Sequence, residues 1–211
     1  MLNSRTIKII IATVLLFQAA GVLYAADDNF GPAKKTESAY FTIYSPVEAD
    51  ENSLARKLNV GLAQGVLSGE AGGGQNPPTY ADLEFRSMLD ALFLDVSGML
   101  DMRINSFTAN IKICRDENQL KEIYSILFEN AEFGDKCSFY LYSTNTIYVS
   151  SEHVAKEILG PEIARAIISR YFLVQPPAKV QDLLINFVET QLRKDATSQA
   201  LDKSIQKSIA P

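Results

Sequence analysis

Few residues in this chain can do chemistry. It holds one histidine, His153, two cysteines, Cys114 and Cys137, and no tryptophan. A Ser–His or Cys–His nucleophilic pair is not expected, because His153 stands among charged residues at a helix start with no nucleophile motif beside it. A zinc site takes about three protein ligands from His, Cys or carboxylate, and one His with two separated Cys makes such a site unexpected. Six of the 11 glycines fall between Gly61 and Gly74, yet no Gly-Lys-Ser/Thr follows and no GxGxxG opens a helix. That segment predicts a surface loop and not a phosphate cradle. What remains is acidic: Glu162 and Asp182, with Arg165 three residues beyond Glu162 and Glu189 further along.

These residues sit in a recognisable order. Thr146-Ile-Tyr-Val predicts a strand, Pro161-Glu162-Ile-Ala-Arg165-Ala-Ile-Ile a helix, and Pro176-Pro177 precedes a second helix carrying Asp182. The order resembles the gluzincin class of zinc metallopeptidases, in which one helix carries HExxH and a second supplies an acidic third ligand. The resemblance covers residues 40–193, and its specific part is 146–190. It implies a zincin-like fold with the first motif His at Pro161, the Glu at Glu162 and the second His at Arg165. The later acidic ligand falls on Asp182, or on Glu189. Pro161 has no donor atom and Arg165 is a permanent cation that repels a metal. Glu162 as a general base needs a metal-bound water whose pKa has been lowered.

The resemblance therefore implies a vestigial site of Pro161, Glu162, Arg165 and Asp182, with no catalytic residue, no metal and no cofactor. The implied function is a non-catalytic pseudo-peptidase that acts by binding, with a protein or peptide partner along an edge strand at 138–142. Three alternatives stay open. One is a metal-independent hydrolase using Glu162 and Asp182, and another a membrane-tethered structural subunit. The third is an ordinary amphipathic helix that buries Ile163, Ile167 and Tyr171 and matches the motif by chance.

Residues 1–25 read as a secretory leader. Arg5 and Lys8 form its positive end, Ile9 to Phe17 its apolar centre and Leu23-Tyr24-Ala25 its cleavage site. Retention as an anchor is the alternative, since Ile7–Leu23 nearly reaches bilayer length. A periplasmic or secreted protein follows, and without the leader no stable membrane insertion is expected. In an oxidising compartment Cys114 and Cys137 are expected to form a disulfide, the alternative being two buried thiols. Loss of Arg5 and Lys8 leaves 18 basic against 25 acidic residues, so no electrostatic attraction to nucleic acid is expected.

The 211 residues, 47% hydrophobic and 21% charged, can build one core. After the leader we expect a flexible lead-in at 26–38, one domain at 39–195 and a polar helix or tail at 196–211. Strands are expected at 40–44, 107–114, 138–142 and 146–149. Helices are expected from Asn52, from a Thr79-x-x-Asp82 cap to about Met102, from an Asp116-x-x-Gln119 cap, and from Ser151 onward, with Gly160-Pro161 as a helix start. The fold class is α+β: a mixed sheet covered by long helices, with a helical C-terminal third.

Overall fold

The computed structural model describes residues 28–58, 84–129 and 131–209, with 195–209 as backbone alone. The expected leader, the glycine-rich stretch and the Thr79–Asp82 cap lie outside the described residues. The fold is mixed α/β, with a five-stranded mixed sheet and five α-helices among the described residues. The strands are β1 (Ala33–Glu37), β2 (Phe41–Pro46), β3 (Ala109–Cys114), β4 (Ser138–Leu141) and β5 (Thr146–Ser150). The helices are α1 (Glu51–Leu58), α2 (Phe85–Leu100), α3 (Glu117–Leu127), α4 (Lys156–Tyr171) and α5 (Ala178–Ile209). None is long and apolar enough to cross a membrane.

The sheet order is β1-β2-β3-β5-β4. The central β2, β3 and β5 are parallel, while β1 and β4 close the edges antiparallel. Alternation along the strands sorts the core into two layers. Phe41, Ile43, Ile111, Ile113, Ile147 and Val149 face α1, α2, α4 and α5. Cys114, Phe139 and Tyr148 face α3, where they meet Leu120, Ile123, Tyr124 and Phe133. β5 is buried at all five positions, as a strand covered on both faces must be.

Local signals place several ends. Asp116 caps α3 by accepting from the Gln119 N–H at 2.8 Å, and Gln119 Oε1 in turn accepts from the Arg115 N–H at 2.7 Å. This reciprocal pair satisfies two donors outside the helix ladder. Asn145 takes a left-handed conformation (φ 50°) that turns β4 into β5 after the 3₁₀ turn Tyr142–Thr144.

Four expectations are corrected. Residues 28–37 are not a loose lead-in: Asp28 and Phe30 are buried, and Ala33–Glu37 pairs with β2 as an edge strand. That strand, AKKTE, has no apolar alternation because backbone pairing to β2, and not core burial, holds it. Gly160-Pro161 does not start a helix. It lies inside α4, which begins at Lys156. Tyr171 is 47% exposed, so it is no part of the buried stripe. Finally, Cys114 and Cys137 are free. Cys114 lies opposite Ser150 of β5, and the Ser150 N–H donates to the Cys137 carbonyl on the other side at 3.2 Å. One strand thus separates them, so their Cα atoms are about 10 Å apart at normal strand spacing, beyond the reach of a disulfide.

Gly160 has a packing reason for its place. A Cβ there would meet Leu192 Cδ1 of α5 at 2.1 Å. Leu192 is only 2% exposed, so its side chain would have to shift within the packed core to admit that atom. Gly160→Ala is therefore expected to destabilise the fold by about 1–3 kcal/mol, through overpacking of α4 on α5. Chemical denaturation reads this effect. Less than additive loss in the Gly160→Ala, Leu192→Ala double variant would locate it at this contact.

Candidate functional site

α4 follows directly from the buried β5 through the turn at Ser151–His153, so its first half is laid over β4. Two side chains of β4 reach up to it. The Ser138 hydroxyl donates to Glu162 Oε1 at 3.3 Å, and the Tyr140 hydroxyl lies 2.7 Å from Ser169 Oγ. Glu162 and Ser169 are seven residues apart, two helical turns, and so share one face of α4. Residues 138 and 140 share one face of the strand.

Glu162 is buried, with its side chain 11% exposed. Arg165 Nε lies 3.4 Å from Glu162 Oε2 as an i,i+3 ion pair, but that oxygen is shielded from solvent and accepts no hydrogen bond. Burial pushes the Glu162 carboxyl above the ordinary carboxylate range, against the opposing pull of Arg165 and the Ser138 hydroxyl. Burial wins because Arg165, 42% exposed, keeps its charge largely in water.

The expected vestigial site is thus assembled only in part. Pro161, Glu162 and Arg165 share α4, as any such spacing on a helix ensures. Asp182 is exposed on α5 and forms no ion pair with Arg165 among the described residues. A zinc ion does not fit this set: one position lacks a donor, one is a cation, and one carboxylate faces solvent.

A second constellation lies on the opposite face of the sheet and was not foreseen from the sequence. Asp28 Oδ2 accepts from the Tyr148 hydroxyl at 2.5 Å and pairs with the Lys112 ammonium. Lys112 Nζ lies over the rings of Phe30, Tyr148 and Tyr44, at 5.2, 5.6 and 5.9 Å from their centroids. These groups border a cavity of about 670 Å³, with Asn110 and Thr146 on its wall. Burial alone would raise the Asp28 carboxyl. The bonds from Lys112 and Tyr148, the Lys112 charge and the Phe30 N–H outweigh it and hold the carboxyl below its usual range. The Tyr148 hydroxyl is pushed up by burial and by Asp28. The only sequence signal is the alternation that puts Lys112 on the face of its strand opposite Ile111 and Ile113.

A third cluster lies at the carboxyl ends of β3 and β5. Glu117, Cys137 and His153 each place one ligand atom within 4.8 Å of the others. His153, expected at a helix start, is half-buried in the turn after β5, and its Nδ1 is shielded with no hydrogen-bond partner.

Comparison of the chain with family models, curated proteins and solved structures finds no match in any of the three.

The two buried carboxylates should respond to pH in opposite senses. Glu162 has its pKa raised on folding, so its charge opposes folding at neutral pH. That opposition is absent below about pH 4.5 and grows as pH rises through the folded-state value. Glu162→Gln should accordingly raise the melting temperature at pH 7 and leave it nearly unchanged at pH 4. Asp28 has its pKa lowered, so it stabilises the fold above 3.8 and loses that contribution as pH falls through the folded-state value. Asp28→Asn should cost about 2–4 kcal/mol at pH 7, by stranding Lys112 among apolar rings. Urea denaturation at pH 7 and at a pH well below 3.8 reads this deficit, which should narrow in acid.

Proposed function

We propose that this chain is an exported, non-catalytic protein with a metallopeptidase-like architecture, and that it works by binding an extended polypeptide along β4. The observation that carries this reading is the position of β4. Among the described residues it is an edge strand with β5 on one side only, and its side chains are tied to α4 through Ser138–Glu162 and Tyr140–Ser169. A strand held rigid from one side presents its free backbone edge as a template for strand addition. The lack of metal-binding chemistry at Pro161 and Arg165 supports the non-catalytic part of the reading. The order β5, turn, α4, Pro176-Pro177, α5 supports the relationship to the peptidase class.

Glu162 favours one second reading, a metal-independent hydrolase. A carboxyl whose proton is held more tightly by burial is a candidate general acid. Against it, Asp182 is not available as a partner, and the cavities of about 670 and 340 Å³ are not lined by Glu162.

Unfolded casein serves as the probe for both readings. The proposed function predicts micromolar binding of labelled casein by fluorescence anisotropy. It also predicts slowed hydrogen exchange at the backbone amides of 138–141, and intact casein after overnight incubation with or without zinc. Cleavage that a chelator stops would overturn the non-catalytic reading. Cleavage that persists in chelator and vanishes in Glu162→Gln would establish the hydrolase. Unchanged exchange at 138–141 would remove β4 as the binding edge.

A further inference from the structure

We propose that Glu117, Cys137 and His153 form a binding site for a zinc-like divalent cation, separate from the α4 motif and independent of the peptide-binding reading. Three chain segments bring the ligands together. Asp116 caps α3 and leaves Glu117 as the first helical residue. Pairing of β4 with β5 places Cys137 opposite Ser150, and the 3₁₀ turn Ser151–His153 then carries the imidazole back over the same strand end. The convergence lies beyond the carboxyl ends of the parallel strands β3 and β5, where open α/β sheets place their ligands.

The ligand chemistry suits the metal. Thiolate, imidazole and carboxylate are the three donor types of zinc sites, and three protein ligands leave a fourth position for water. A tetrahedron with bonds of about 2.0–2.3 Å has edges of about 3.5 Å. Ligand atoms already within 4.8 Å of one another close to that separation with about an ångström of side-chain rotation. Glu117 is exposed and makes no hydrogen bond or ion pair among the described residues, so it can supply that movement.

Two observations distinguish this cluster from a chance meeting of polar side chains. Glu117 has an ordinary reason for its place, since an acidic residue suits the first turn of a helix. His153 Nδ1 has no such reason: it is a buried polar atom without a partner, which folded proteins rarely leave unsatisfied. The Cys137 sulfur has only a 4.0 Å contact with the Asp135 carbonyl. A cation at this point takes up the negative charge of thiolate and carboxylate together.

The test uses the full chain stripped with chelator and dialysed. Equilibrium dialysis should find one Zn²⁺ per chain at micromolar free metal. Co²⁺ should produce a near-ultraviolet thiolate charge-transfer band. Zn²⁺ should also slow alkylation of Cys137 by iodoacetamide, with Cys114 as the internal control: its thiol is buried and pushed up to about 12. Cys137→Ser should abolish the cobalt band, and both it and His153→Ala should weaken zinc binding by at least about tenfold. Glu162→Gln should leave binding unchanged, which separates this site from the α4 motif. The proposal is overturned if the folded protein, checked by circular dichroism, takes up no zinc at micromolar concentration. It is equally overturned if both ligand variants bind as tightly as the parent, or if Cys137 alkylates rapidly at pH 7 whether or not zinc is present.

Discussion

The insertion of β5 between β3 and β4 governs most of what is distinctive here. β5 pairs parallel to β3 and antiparallel to β4, and it is buried at every residue from Thr146 to Ser150. A strand covered on both faces cannot slip by one residue without exchanging its two sets of core contacts. Its register therefore fixes the places of Ser138 and Tyr140 on one side and of Lys112 and Cys114 on the other. It also fixes the point where the chain leaves the sheet for α4. Glu162 meets Ser138, and His153 meets Cys137, because both follow from that exit. Cys114 and Cys137 are kept apart by the same strand.

The two faces of the sheet treat a buried carboxylate differently. Asp28 is given a hydroxyl, an ammonium and a backbone N–H, so its charge is matched and the aromatic cluster closes around the pair. Glu162 is given one hydroxyl and a half-exposed guanidinium, and one oxygen accepts no hydrogen bond. The first arrangement holds the early chain onto the sheet. The second keeps a poorly satisfied acid at the seam between α4 and the edge strand. Folded proteins tolerate that kind of local conflict where function or ancestry requires it. Gly160 works in the same helix to let α5 approach closely, so this region is both tightly packed and electrostatically unrelieved.

Local structure was largely legible in the sequence. The α3 cap shows in Asp116 and Gln119, and the strands other than β1 in their β-branched and aromatic runs. Each is decided within a few residues, by hydrogen bonds or dihedral preferences that travel with the residue type. The i,i+3 pair of Glu162 and Arg165 is likewise fixed by helical spacing alone. The strand at 33–37 has no signature in the sequence because AKKTE carries no apolar alternation, and its partner β2 supplies the pairing. The interior position of Pro161 has none because the residues before it, Lys156–Gly160, join the helix through packing on the sheet and α5.

Everything that depends on strand order had to come from the tertiary structure. Sequence composition makes Cys114 and Cys137 a natural pair, but only the order β3-β5-β4 puts a strand between them. Nothing in a spacing of 20 and then 16 residues announces that Glu117, Cys137 and His153 converge. Asp28 and Tyr148 are 120 residues apart in the chain, yet they share a hydrogen bond. The sequence determined most of the helices and strands, β1 and the first turns of α4 excepted, and which residue types were available for chemistry, because those properties are local. The tertiary structure decided which of them meet, because sheet order and register bring distant segments together and no short-range preference encodes them.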